Sequence, residues 1–171
     1  AYDFLLNNTE VYKTVAVDSL TEVNYLVLDT IVGEELKKNG RRDPDVPQQQ
    51  DYMRGAVWMR RLVRMFRDLP MNVIMTALPI EIQDPISKEM ILTPSLIGKL
   101  ASELPAQMTI VGYLALVEPP QKPNQMRQEA VRELFVKPVG NFHVKDRSER
   151  GKLGESVVNP TLPKIMNLLE V

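Results

Sequence analysis

Short apolar runs alternate along the chain with longer stretches that carry an apolar residue every three or four positions, a pattern of strands set among helices. Thr14-Val15-Ala16-Val17-Asp18 is such a run bounded by polar residues, and it predicts a strand over 14–18 covered on both faces. Ser19 and Glu22 form a capping-box pair, so a helix begins at once. Leu20, Val23, Leu26, Val27, Ile31 and Val32 make its apolar stripe, and Lys37, Lys38 and Asn39-Gly40 make a natural stop. Prolines and polar residues read as a loop over 40–51. A second helix over 52–68 sets Ala56, Met59, Leu62, Val63 and Phe66 inward, with Arg54, Arg61, Arg64 and Asp68 opposite.

Further on, 72–78 is a second buried strand, and 81–93 alternates around Asp84-Pro85 as a hairpin or extended excursion. A short helix over 95–104 turns Leu96, Ile97, Leu100 and Ala101 inward, which places Gly98-Lys99 inside it. A third strand covers 108–117, and proline-rich 118–128 is a loop. Strands at 131–136 and 141–145 are expected to pair antiparallel across Pro138-Val139-Gly140. A loop over 146–154 leads to a last helix opened by Asn159-Pro160. The order β, α, α, β, α, β and then a β-rich end predicts an α/β fold, a mostly parallel sheet flanked by helices that finishes in antiparallel strands.

Composition narrows the chemistry. The 171 residues suit one domain, and 44% apolar with 25% charged residues is ordinary for a globular chain. A net charge of −1 gives no global attraction to nucleic acid or anionic lipid, so any such contact is local. With no cysteine there is no disulfide or thiolate site, which fits a cytoplasmic protein. No apolar run is long enough to span a bilayer, so no membrane partner is expected. Nothing basic precedes Ala1–Leu6, which argues against a signal peptide, and the early first strand reads as part of something longer.

Four groups of residues could carry chemistry. Asp18, where a parallel strand ends and a helix starts, stands at the edge where open α/β sheets bind ligands, and has the geometry of a Walker B carboxylate that holds a nucleotide's magnesium. The same junction also suits an ordinary βα turn. Thr76, at the end of the second core strand, could hydrogen-bond a γ-phosphate or its attacking water, or be structural. Lys145 and Arg147, two apart at a strand end, point the same way and could clamp a phosphate, or form a solvated turn. Lys37, Lys38, Arg41 and Arg42 run from a helix end into a loop and could grip phosphates, or form a solvated face. His143 is the single histidine, so no histidine-based metal site or acid–base pair can be built.

These segments together resemble the phage and prophage RecA-like nucleotide-binding proteins of the Sak-type single-strand-annealing and recombination group. The resemblance spans nearly the whole chain through Thr-Val-Ala-Val-Asp-Ser-Leu-Thr-Glu (14–22), Gln-Gln-Asp-Tyr (49–52), Phe-Arg-Asp-Leu-Pro-Met-Asn-Val-Ile-Met-Thr-Ala (66–77), Pro-Ser-Leu-Ile-Gly-Lys-Leu (94–100), Lys-Asp-Arg (145–147) and Asn-Pro-Thr-Leu-Pro-Lys-Ile (159–165). It implies a partial RecA-like P-loop NTPase core over 1–171, with ATP and Mg²⁺ as cofactors. Asp18 and Ser19 would bind nucleotide, Asp18 its metal, and Thr76 would sit on the sensor strand. Lys145 and Arg147 look like the Lys-x-Arg element of RadA- and DnaB-type ATPases, which reaches a neighbouring subunit's γ-phosphate.

It also implies single-stranded DNA held by inward loops at 37–51 and 80–95, self-association into a ring or filament, a single-strand-binding protein as partner, and the host cytoplasm. The chain departs from the family in one respect. No Gly-x-x-x-x-Gly-Lys-Ser/Thr occurs in it, and Gly98-Lys99 lacks the spacing, so the amino-terminal P-loop portion is expected to be absent. The alternative expectation is a subunit without a P-loop that binds DNA or a partner and is not an enzyme. Without its leading strands such a piece would expose sheet edges.

Overall fold

The computed structural model describes residues 1–84, 87–118, 129–138 and 141–170. Chain contacts divide it into two compact units, 1–80 with 93–107 and 81–92 with 108–171.

The first unit holds α1 (Tyr2–Leu6), β1 (Thr14–Val17), α2 (Leu20–Lys38), α3 (Gln49–Arg67), β2 (Asn72–Met75) and α4 (Leu100–Gln107). Periodicity did not predict α1, a short turn of helix whose Tyr2 ring meets Phe66 edge-on at 6.1 Å. The capping pair does open α2, where Ser19 Oγ accepts the Glu22 N–H at 3.3 Å. Lys37 and Lys38 occupy its last turn, where cations favour the helix dipole. At the start of α3, Gln48 and Asp51 satisfy each other's backbone N–H groups as a capping box, which begins that helix three residues ahead of the expected 52.

α2 and α3 pack with Gly55 against Val27 and Ile31, and the core adds Leu20, Leu28, Met59, Val63, Leu100 and Leu104. Burying a side chain such as Ile31 completely contributes about 1.5–3 kcal/mol. Arg54 ties α3 to α2 through Glu34 (3.1 Å) and Glu35 (2.5 Å), and Arg60 ties it to α4 through Glu103 (2.6 Å).

Three expectations for this unit change. β1 is not covered on both faces, since Thr14 and Ala16 are exposed and Val15 and Val17 half-buried. The inward face of α2 keeps Leu20, Ile31 and Val32 of the apolar stripe but not Leu26, which is 61% exposed, and it includes Thr21 and Asn24, which are buried. Thr21 goes inward because its hydroxyl has work there, accepting the Leu78 N–H (3.0 Å) and donating to the Ser95 carbonyl (3.2 Å). The 95–104 helix starts at Leu100 and runs to Gln107, because Gly98 stands at φ +53°, outside the helical region, so Gly98-Lys99 is not helical.

In chain order the elements that remain are β3 (Pro79–Gln83), β4 (Met90–Pro94), β5 (Ile110–Val111), β6 (Tyr113–Val117), β7 (Val131–Phe135), β8 (Lys145–Asp146), β9 (Ser156–Val158) and α5 (Leu162–Glu170). β3 and β4 pair with each other, as the alternation over 81–93 suggests. The second unit's main sheet has the order β6-β7-β9, antiparallel throughout, with Leu114 opposite Leu134 and Leu134 opposite Val157. Val136, Leu153 and Val157 form its core, with Ile110, Leu134, Ile165 and Leu169 packed against them.

The expected strand 108–117 is two strands with different partners, since β5 pairs with β8 and β6 with β7. The break falls at Gly112, where a Cβ would meet Leu134 Cδ1 at 2.6 Å. Segment 141–145 does not neighbour β7, whose partners are β6 and β9, a strand the sequence did not predict. Val139 and Gly140 of the expected turn, residues 119–128 of the expected loop and Pro85 lie outside the described residues.

β1 and β2 run parallel, whereas β5–β8, β6–β7 and β7–β9 are antiparallel. The architecture is therefore mixed α/β with small sheets of both kinds rather than a mostly parallel sheet. Among the described residues no helix is long and apolar enough to cross a membrane.

Candidate functional site

Parallel pairing of β1 with β2 matches Val17 to Met75, so the next residue on each strand, Asp18 and Thr76, leaves the same carboxyl edge. The backbone continues the ladder past both strands. The Thr76 N–H donates to the Val17 carbonyl at 3.0 Å, and the Leu20 N–H donates to the Thr76 carbonyl at 2.8 Å. This brings the Thr76 hydroxyl to Asp18 Oδ1 at 2.5 Å, with both residues exposed. The Asp18–Ser19 peptide is cis. Ser19 sits beside them with its oxygen accepting the Glu22 N–H, and its own hydroxyl hydrogen is left to donate.

The donor set decides which metal would suit this edge. No group of three or more His, Asp or Glu residues that could hold a metal exists among the described residues, so an all-protein cage is not formed there. One exposed carboxylate beside a hydroxyl does suit Mg²⁺, which keeps several waters and is bound through one or two carboxylates plus substrate phosphates. The residues present therefore fit a magnesium–nucleotide complex whose other ligands are phosphate oxygens and water.

In the second unit, Lys145 lies in β8 opposite Val111, and Arg147 follows with its N–H on the Thr109 carbonyl at 3.0 Å. As alternate residues of one extended segment they share a side. Partial burial, and then the charge of Arg147, hold the Lys145 ammonium below its ordinary pKa. Between them Asp146 has a role that spacing did not single out. Its Oδ1 accepts the Ser148 N–H at 2.7 Å and its Oδ2 the Leu153 N–H at 3.2 Å, which pins the turn 148–153. Burial raises the Asp146 carboxyl, but the bonds from Ser148 and Leu153 and the charge of Lys137 outweigh it, leaving the group below its ordinary value. The Asp-x-Ser sequence was the available signal, an Asx-turn pattern.

The basic segment separates into two parts. Lys37, Lys38 and Arg41 are exposed, with Lys38 reaching Glu35 at 2.9 Å. Arg42 departs from the expectation of a DNA-facing cation. Its side chain is 8% exposed and ion-paired with Asp51, which is 1% exposed and also accepts the Gln48 N–H at 2.7 Å. A guanidinium held inside against a buried carboxylate is not presented to a ligand. His143 is exposed and lies on neither β7 nor β8.

Thus the structure brings Asp18, Ser19 and Thr76 together in the first unit and sets Lys145 with Arg147 in the second. A family model described as an AAA domain matches residues 2–148, a span that contains every one of these positions. No curated protein and no solved structure matches the chain. The match covers most of the 171 residues, and a nucleotide-binding function of ATPase type follows from it. The chain belongs to the AAA domain family, of P-loop NTPase type.

Proposed function

We propose that this chain supplies the acid and sensor residues of an ATP-hydrolysing site, and that the protein uses hydrolysis to act on single-stranded DNA in phage-type recombination or annealing. The observation that carries the reading is the hydrogen bond from Thr76 to Asp18 at the carboxyl edge of the parallel β1–β2 pair, in a chain of the AAA domain family.

Asp18 is the residue that would hold Mg²⁺ of bound ATP. The metal, when bound, neutralises charge on the phosphates and polarises the γ-phosphoryl oxygens. Thr76 holds the carboxylate in place and offers its oxygen to a water near the γ-phosphate. Ser19 starts α2 and can donate its remaining hydrogen to a phosphate or water oxygen. Lys145 and Arg147 of an adjacent subunit stabilise the negative charge of the transferring phosphoryl group, the role of an arginine finger given in trans. Asp146 is their positioning residue, because it fixes the turn that follows them. Lys37, Lys38 and Arg41 contact DNA phosphates, while Arg42 shapes the loop that carries them.

The test is ATP hydrolysis by the full-length protein. Arg147→Glu abolishes hydrolysis and leaves monomer folding intact, and retained hydrolysis would remove the trans role. A second reading is favoured by one specific observation, the lack of a Gly-x-x-x-x-Gly-Lys-Ser/Thr motif in these 171 residues. On that reading the protein binds DNA or a partner without turnover. It is the better one if the full-length protein binds no nucleotide.

A further inference from the structure

Ion pairing on α2 and α3 leaves a complementary remainder. On α3, Arg54 and Arg60 are committed to Glu34, Glu35 and Glu103, and Arg67 to Asp68. Arg61 and Arg64 make no ion pair among the described residues, and both are exposed. On α2, Glu34 and Glu35 are taken by Arg54, whereas Glu22 and Asp29 are exposed and make no ion pair among the described residues.

Each leftover pair of charges lies beside exposed apolar side chains on its own helix. Glu22, Tyr25, Leu26 and Asp29 follow at i, i+3, i+4 and i+7, which aligns them along one side of α2. Tyr25 and Leu26 within that stripe are more than half exposed. On α3, Met53, Val57, Arg61 and Arg64 follow at i, i+4, i+8 and i+11, again one side of a helix. Met53 is 65% exposed there. One stripe is acidic and apolar, the other basic and apolar. Within one copy they cannot cover each other, because α2 and α3 already pack through Val27, Ile31 and Gly55 on other sides.

We propose that the acidic stripe of α2 docks on the basic stripe of α3 in a second copy of this chain. Apolar contact between Tyr25 or Leu26 and Met53 or Val57 would supply attraction, and pairing of Glu22 and Asp29 with Arg61 and Arg64 would set register and partner choice. Such a contact deepens the trans reading of Lys145 and Arg147, which requires a neighbour. Its test reads association without nucleotide or DNA, so either idea can fail alone.

The experiment is sedimentation velocity of the full chain over a wide concentration range, at low and raised salt. The wild type associates reversibly, less so as salt screens the charges. Glu22→Lys/Asp29→Lys and Arg61→Glu/Arg64→Glu each weaken association at least about tenfold with only small losses in thermal midpoint. All four side chains are exposed, and only Glu22 and Arg64 lie in a first or last helical turn where their charges favour the dipole. Combining the four substitutions in one chain restores association, and Leu26→Ser, which adds no charge, weakens it by removing apolar contact. A wild type that stays monomeric, or a combined variant that folds but does not recover, overturns the proposal. So does an Arg61/Arg64 reversal that leaves association intact and reduces only nucleic-acid retention, which would assign that face to phosphates.

Discussion

Arg42 and Asp51 face each other in the interior of the first unit, closing the loop after α2 onto the first turn of α3. The carboxylate serves twice, as counter-ion and as acceptor for the Gln48 N–H. Asp51→Ala removes both roles and leaves a guanidinium buried without compensation, and it should cost about 3–5 kcal/mol. Arg42→Met leaves the Asp51 carboxylate buried without its counter-ion but still bonded by the Gln48 N–H, so it should cost somewhat less than Asp51→Ala. Urea unfolding of the two variants checks the order.

The same loop carries the exposed cations proposed for DNA. Reversing Lys37 and Arg41 to Glu should weaken single-stranded DNA binding and flatten its dependence on salt, each phosphate contact contributing roughly 0.7 to the slope for a single strand. Thermal stability should fall only slightly, because both side chains are exposed and the loss is that of a cation at the carboxyl end of α2, about 0.3–1 kcal/mol. Binding titrations at several salt concentrations would show it, and an unaltered slope would exclude these residues as phosphate contacts.

Two glycines should respond to one substitution with opposite sign. At Gly33, inside α2, an added methyl meets nothing within 4 Å, so Gly33→Ala gains helix propensity and stabilises by about 0.5–1 kcal/mol. At Gly112 the methyl would sit 2.6 Å from Leu134 Cδ1 and 3.3 Å from the Phe135 carbonyl oxygen. Gly112→Ala should therefore destabilise by about 1–3 kcal/mol. Denaturant midpoints decide both.

Asp146 makes an acid-side prediction. Its folded pKa lies below its ordinary value of 3.8, so folding favours the ionised form. The stability this adds is complete above 3.8 and fades as pH falls through the lower folded value. Asp146→Asn should be less stable than wild type at neutral pH, and the gap should narrow as pH drops below 3.8. Urea midpoints measured from neutral to strongly acidic pH follow the gap, and a constant gap would show that the carboxylate's charge is irrelevant.

What could be read from sequence was what neighbours in sequence decide. The Ser19–Glu22 cap, the lysines that stop α2 and the apolar runs of β1 and β2 are local, and they place Asp18 and Thr76 at two strand ends. That the two touch depends on parallel pairing, which no local pattern states. Leu26 satisfied the helical period, yet Thr21 took the inward direction because Ser95 and the Leu78 N–H lie there. Residues 108–117 looked like one strand because the change of partner at Gly112, from β8 to β7, is set by segments distant in sequence. Arg42 resembled its exposed neighbours because its partner, Asp51, lies across a loop.

The most direct test of the account is Mg²⁺-dependent ATP hydrolysis by the full-length protein, wild type against Asp18→Asn and Thr76→Val. Thr76 acts by orienting Asp18, so its loss should cost about 10–100-fold, while Asp18→Asn should cost more, because the carboxylate itself would hold the metal. Unchanged hydrolysis in Asp18→Asn, with the fold intact, would contradict the assignment of this strand edge as the nucleotide site.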